Sequence, residues 1–213
     1  MAGSKKLELI EQTYRLLQTV PPSEVKIRAV AEATGCSTTA VYKHFDDLDD
    51  LIRIASVRFL EDYICRTQAV LSETADPMEV LTITWREFAA VAFENIDVYL
   101  ELFWGRYKSQ LGDAIFTYYQ LFPREWKHLG GLFTSTFFNN EIKERNYIIV
   151  RRAAAMGYFR YDDARLVSDL QCYLMHGVLL DYRDTYREPN KAQEGFDYFM
   201  TLLESTLQRY RLK

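Results

Sequence analysis

Residues 27–51 read IRAVAEATGCSTTAVYKHFDDLDDL, and their spacing predicts two short helices joined by a tight turn, then the start of a third. In the first, Ile27, Val30 and Ala31 recur at helical spacing, and Ala31 is small enough to let a second helix cross closely. Gly35 stands where that helix should stop, because glycine accepts the left-handed conformation that turns the chain. Ser37 then occupies the N-cap position, its hydroxyl open to a free amide of the next turn. The second helix is expected over residues 38–45, with Val41 and Phe45 facing inward and Thr38, Thr39, Tyr42 and Lys43 facing out. This is a helix-turn-helix. A helix fits the DNA major groove, and short polar side chains near its N-terminus reach base edges.

The pattern runs Arg28, Val30-Ala31, Gly35, Ser37, Val41-Tyr42 and His44-Phe45, with a fresh helix at Leu51. It resembles the DNA-binding domain of the TetR family of transcriptional regulators over residues 5–60. The resemblance implies an all-α chain in three parts. Residues 1–50 would be a three-helix DNA-binding head, residues 51–75 a linking helix, and residues 76–213 a ligand-binding and dimerisation body. It also implies that Tyr42 and His44 contact backbone phosphates, which set register and carry little sequence information. Thr38, Thr39 and Lys43 are the candidates for base-edge readout, with Ser37 and Arg28 beside them. Lys26 stands where the family usually has a hydroxyl residue, and is either a phosphate contact or a plain surface lysine. A departure falls at Leu48, where many relatives carry a lysine. Here the segment is Asp46-Asp47-Leu48-Asp49-Asp50. Its aspartates suit a helix N-terminus, but four carboxylates beside DNA predict weaker and more salt-sensitive binding than in a typical relative.

Charge agrees with contact at one end only. The 213-residue chain carries a net charge of −4, while its first sixty residues hold eight basic and eight acidic side chains. The acidic excess therefore lies in the body, and the neutral head predicts weak non-specific binding. No apolar run approaches the ~20 residues that span a bilayer, and no apolar leader opens the chain. Cys36, Cys65 and Cys172 are odd in number and widely spaced, so reduced thiols in a cytoplasm are the simplest reading. No cofactor, metal set or catalytic cluster is expected. Cys36 and His44 fall on the DNA face, and His128 and His176 lack a nucleophile or metal-ligand cluster beside them.

Along the chain, residues 5–20 form an amphipathic helix with Leu7, Ile10, Tyr14 and Leu17 on one face. Lys5 and Lys6 are either phosphate contacts or a solvated helix start. Residues 51–71 are expected as one long helix. Further helices are expected over 77–94, 97–107, 112–122, 125–139, 141–155, 162–187 and 191–210, with no strand and no repeat.

The body concentrates large aromatics: Trp85, Phe88, Phe103, Trp104, Tyr107, Phe116, Tyr119, Trp126, Phe133 and Phe137. An aromatic stripe at helical spacing is usually core. As a set, Tyr and Trp carry polar atoms that want partners when buried, and they leave irregular, partly polar cavities. Together with the resemblance, this predicts a site for an apolar or flat aromatic effector, with Tyr173 on its wall and Arg151, His176 and Glu101 as polar contacts. Two stripes read as a homodimer interface: Leu166, Leu170, Tyr173, Gly177 and Leu180, then Phe196, Met200, Leu203, Leu207 and Tyr210. Gly177 costs helix stability, which suggests close approach of another helix. The resemblance implies a repressor on a palindromic operator in double-stranded DNA. The acidic rim would also suit a protein-binding adaptor that kept the fold.

Overall fold

The computed structural model describes residues 2–71, 74–106, 108–125 and 141–212. Within these the chain forms eleven α-helices, with 3-10 turns between some of them and no strand. The helix expected over 125–139 lies almost wholly outside the described residues, as do Tyr107, Trp126, Phe133 and Phe137.

Helix α1 spans Ala2–Leu17. It starts three residues before the expected point and ends three before it. The amides of Thr19 and Val20 both turn back onto the Leu16 carbonyl, at 2.9 and 3.0 Å, so a tightened turn closes the helix ahead of Pro21 and Pro22. Leu9, Ile10 and Leu17 of α1 are buried, as are Val30, Ala31, Val41 and Phe45. Helix α2 covers Ile27–Ala33. Gly35 adopts φ +60°, and the Cys36 amide donates to the Ala31 carbonyl at 2.9 Å, the six-to-one bond of a glycine cap. Ser37 accepts from the Ala40 amide at 3.2 Å and starts α3. This second helix is shorter than expected, Thr38–Val41. Its continuation to Phe45 tightens, with Lys43 and His44 donating three residues back.

The expected single helix over 51–71 is broken. Helix α4 spans Leu48–Ser56, a 3-10 turn covers Val57–Leu60, and α5 runs Glu61–Leu71. Val57, Phe59 and Leu60 are all buried, and a 3-10 stretch inside a helical run is a common hinge. The Tyr99 hydroxyl donates to the Phe59 carbonyl at 3.2 Å, satisfying an acceptor within the turn. The boundary expected at residues 50–51 falls inside α4, which packs on α1 of the head and on the body's α8.

The body comprises α6 (Pro77–Glu94), α7 (Ile96–Trp104), α8 (Leu111–Leu121), α9 (Ile142–Ala155), α10 (Ala164–Tyr182) and α11 (Lys191–Tyr210). Asp76 caps α6 by accepting from the Met78 and Glu79 amides, and left-handed Gly157 (φ +81°) follows α9. Helix α6 is central. It packs on α5, α9 and α11 and buries Leu81, Trp85, Phe88, Ala89, Ala92 and Phe93. At Gly195 a Cβ would stand 2.7 Å from the Phe93 ring, so glycine permits α11 to seat against α6. Asp97, nearly buried at the start of α7, accepts from Arg183 at 2.9 Å and from the Tyr186 hydroxyl at 3.1 Å, and pairs with Arg187 at 3.4 Å.

Candidate nucleic-acid interface and ligand-binding core

The head presents Lys26, Arg28, Ser37, Thr39, Tyr42 and Lys43 as exposed side chains, with Thr38 and His44 half-buried. Tyr42 is 54% exposed, far more than a packing role would leave it. Lys26 stands at the N-cap of α2 and Arg28 in its first turn, while the other six follow the glycine turn. Ion pairing sorts the basic residues. Lys5 pairs with Glu8 and donates to the Thr34 carbonyl at 2.7 Å, so it closes α2 instead of facing a phosphate. Arg15 and Arg58 pair with Glu11, and Arg53 with Asp50. Lys6 lies over the Phe45 ring at 5.1 Å. Among the described residues Lys26, Arg28 and Lys43 form no ion pair. The acids are sorted too. Asp47 accepts from the Asp50 amide at 2.7 Å as the cap of α4, and Asp50 holds Arg53 at 2.8 Å. Asp46 and Asp49 remain exposed.

Head and body are joined through the 3-10 turn. Arg58 donates to Glu11 of α1 at 3.0 Å and lies 4.5 Å over the Tyr14 ring. On the other side Tyr99 of α7 holds the Phe59 carbonyl. A cleft of about 210 Å³ opens beside this link, lined by Ser23, Asp49, Ile52, Arg53, Glu101 and Arg106 among others. Burial, then the charge of Asp49, pushes the Glu101 carboxyl up, with Arg183 acting the other way. Glu101, expected to reach an effector in the body, instead faces this junction.

Of the expected ligand contacts, Trp85, Phe88, Phe103 and Tyr119 are buried, while Trp104 and His176 are half-buried. Phe88 is the hub, with ring centroids 5.5 Å from Tyr63, 5.7 Å from Trp85, 5.2 Å from Tyr99 and 5.0 Å from Phe103. These rings meet edge to face, the favoured packing of quadrupoles. Trp104 stacks on His176 at 4.9 Å, and burial, helped by Lys108, lowers the His176 pKa. Three expectations are corrected. Arg151 is exposed. Tyr173 is 60% exposed, with Lys143 lying 3.7 Å over its ring. Phe116 is also exposed. Each is exposed on its helix, which its own place in a helical pattern does not reveal. Residues not anticipated are Arg145, Asn146 and Gln171. Trp85 Nε1 donates to Asn146 Oδ1 at 3.0 Å and to Gln171 Oε1 at 3.1 Å, and Asn146 Nδ2 donates to Gln171 Oε1 at 2.8 Å. Arg145 reaches the Phe103 ring at 5.8 Å. The available signal was polar residues on the buried faces of otherwise apolar helices.

On α10, Leu166, Tyr173, Gly177 and Leu180 are exposed and Leu170 is half-buried, so the expected stripe lies open along one face. The second stripe divides. Phe196 and Met200 are half-buried, but Leu203 has no exposed surface and Leu207 almost none. Both are core residues, correcting their placement at an interface: α11 turns that side onto α6 and α10.

An exposed N-capped helix after a glycine turn, carried on a helical body with an aromatic interior, defines the helix-turn-helix regulator fold. Residues 9–53 match the model of the bacterial regulatory proteins of the tetR family. The N-terminal domain thus belongs to the TetR family, and the chain as a whole has the TetR-regulator fold. The chain is similar to a TetR transcription regulator from Haloarcula marismortui, at 19% identity and TM-score 0.62, with 98% of each chain covered. A protein from Saccharomonospora viridis in complex with choline aligns at 18% identity and TM-score 0.60, over 98% of this chain and 97% of that one. RolR in complex with resorcinol aligns at 16% identity and TM-score 0.55, over 97% and 93%. No curated protein matches the chain in sequence. Among the described residues no helix is long and apolar enough to cross a membrane.

Proposed function

We propose that this protein is a ligand-responsive transcriptional repressor that binds a palindromic operator as a homodimer. The observation that carries the reading is the exposed surface around α3, where Lys26, Arg28, Thr39, Tyr42 and Lys43 are left open while the head's other basic groups are spent internally. Tyr42, His44 and Lys26 position the phosphates, and Thr38, Thr39 and Lys43 read base edges. Ser37 caps the helix that carries them.

Two heads on one duplex require a two-fold assembly. The open α10 stripe supports it. Gly177 has nothing within 4 Å of a built Cβ, so packing inside the protomer gives no reason for a mid-helix glycine that costs about 1 kcal/mol against alanine. A partner helix crossing there supplies one. Phe196 and Met200 border the same contact. Two relatives with small molecules bound, choline in one and resorcinol in the other, support an effector site in the body. The route from effector to head runs through Tyr99, the 3-10 turn and Arg58. An effector that favours one setting of Tyr99 changes the grip on Phe59 and so the spacing of the heads. Coupling of ~1–3 kcal/mol is the usual scale.

The test is fluorescence anisotropy with duplex DNA from upstream of the gene, at two salt concentrations. Tight binding over scrambled DNA, lost when Tyr42→Phe and Thr38→Ala are combined, is the expected result. Equal, weak binding to both duplexes, and no enriched site from random DNA, would sink the reading. The exposed acids favour a second reading, an adaptor for a protein partner. Asp46→Lys separates the two without touching the Asp47 cap: it strengthens DNA binding in a regulator and breaks a protein contact in an adaptor.

A further inference from the structure

We infer that the cleft between head and body is a binding site for a small primary ammonium ion, held by Asp49, Glu101 and the Ser56 hydroxyl. The site itself needs no operator, while its effect on DNA rests on the regulator reading above.

The cleft, about 210 Å³ in volume, lies where α4 packs on α7. Asp49 comes from the first turn of α4 and Glu101 from α7. Both line the cleft, and among the described residues neither makes an ion pair. Burial, then the charge of Asp49, pushes the Glu101 carboxyl up, so the two acids repel across the junction; Arg183 acts the other way. Glycine at position 105 leaves room for the Glu101 carboxylate, because a Cβ there would stand 2.5 Å from its Oε1. The cations of the lining do not answer these acids. Arg53 holds Asp50 at 2.8 Å, Arg106 has contacts of its own, and neither is among the charges that act on Glu101.

A third oxygen belongs to the same cleft. Ser56 ends α4, is 1% exposed and lines the cleft, and its Oγ is buried with no hydrogen-bond partner. A buried hydroxyl left unanswered carries a desolvation cost that a ligand can relieve. Ile52 and Leu102, both buried, add apolar wall for a short alkyl group. An ammonium has three N–H donors, so one ion can answer both carboxylates and the hydroxyl. An anion would meet two like charges. A divalent metal takes six or more oxygens, and among the described residues no three His, Cys, Asp or Glu gather to hold one. The position gives the ion its effect. Ser56 directly precedes the 3-10 turn, and α4 packs on α1 of the head as well as on α7 of the body. An ion shared by Asp49 and Glu101 removes their repulsion and favours one setting of head against body.

Three probes share one alkyl chain: n-butylammonium, n-butyltrimethylammonium and n-butyrate. Each is titrated at constant ionic strength into the isotope-labelled full-length protein, following the amides of residues 49–56 and 101–106 by NMR. Butylammonium should bind about tenfold or more tighter than the trimethyl probe, which keeps the charge and lacks N–H donors. Butyrate should not bind. Glu101→Gln keeps the shape without the charge and should weaken butylammonium about tenfold or more. Ser56→Ala removes only the unpartnered oxygen; it should weaken butylammonium several-fold and leave the trimethyl probe unchanged. Where circular dichroism shows either variant unfolded, Asp49→Asn takes its place and should weaken butylammonium as Glu101→Gln does. Butyrate binding as tight as that of butylammonium, no saturable shift from butylammonium, or butylammonium binding that survives both substitutions overturns the site. Anisotropy with the duplex from upstream of the gene then reads the coupling, and saturating butylammonium should change DNA affinity about fivefold or more. Unchanged DNA affinity with the ion bound overturns the coupling alone. A protein that binds the ion and no DNA counts against the regulator reading and leaves the site standing.

Discussion

Replacing Lys26 with alanine should change how DNA binding responds to salt, by an amount set by the head's ion pairs. Eight basic residues lie in the first sixty. Lys5, Arg15, Arg53 and Arg58 are held by acids, and Lys6 sits on Phe45. Lys26, Arg28 and Lys43 remain, three cations per head and twice that in the proposed dimer, and a lysine at a base edge displaces counterions as one on a phosphate does. At about 0.9 counterion released per neutralised phosphate, the slope of log K against log salt is roughly −5.4. Raising salt from about 50 to about 200 mM should then weaken binding roughly 2,000-fold. Lys26→Ala removes one contact from each head, reduces the slope to roughly −3.6, and leaves a loss of roughly 150-fold over the same range. Lys5→Ala is the control, since Lys5 is occupied by Glu8 and the Thr34 carbonyl. It should leave the slope unchanged. Anisotropy titrations at four salt concentrations measure all three proteins. A Lys5→Ala slope as shallow as that of Lys26→Ala, or a wild-type slope near zero, would refute this assignment of cations.

Trp85→Phe keeps a ring in place but removes the N–H shared by Asn146 and Gln171. It should cost about 1–3 kcal/mol, seen as a drop of several degrees in melting temperature; a loss below one degree would show that the network contributes little. The glycines of α10 and α11 should respond with opposite sign. Gly195→Ala forces its Cβ to 2.7 Å from Phe93 and should destabilise by about 1–3 kcal/mol. Gly177→Ala meets open space within the protomer, so it should stabilise the isolated chain by about 0.5–1 kcal/mol while loosening the dimer in sedimentation equilibrium. A Gly177→Ala dimer as tight as wild type would move the helix crossing elsewhere. For Glu101, burial and Asp49 raise the folded-state pKa above its unfolded value. The folded state then holds the proton more tightly, so this contribution is present below the unfolded value and lost as pH rises through the folded one. Glu101→Gln should therefore raise the melting temperature near pH 7 and change it little near pH 4. The reverse order would mean that Glu101 is stabilised as the carboxylate.

The head was legible from one stretch of sequence because its signals are local. Gly35, Ser37 and the Val41–Phe45 spacing act within a few residues, and the left-handed glycine, the Ala40 cap bond and the buried pair all follow from them. Helices α6 and α11 match their expected bounds for the same reason: Asp76-Pro77 starts one, and both carry long periodic patterns. Three matters were decided only by tertiary packing. Residues 57–60 give up α-helical bonding where Arg58 is drawn to Glu11 and Tyr99 takes the Phe59 carbonyl, partners 47 and 40 residues away. Leu203 and Leu207 share a helical stripe with Met200, but the seating of α11 against α6, permitted at Gly195, buries the first two and leaves the third partly open. The polar core of Asn146 and Gln171 joins α9 and α10 to Trp85 of α6, 61 and 86 residues away in sequence, and nothing in a single helix's pattern shows which of its polar residues turn inward. Periodicity reports that a helix has an apolar face; which neighbour that face meets, and which distant donor or charge it admits, depends on contacts the chain makes only once folded.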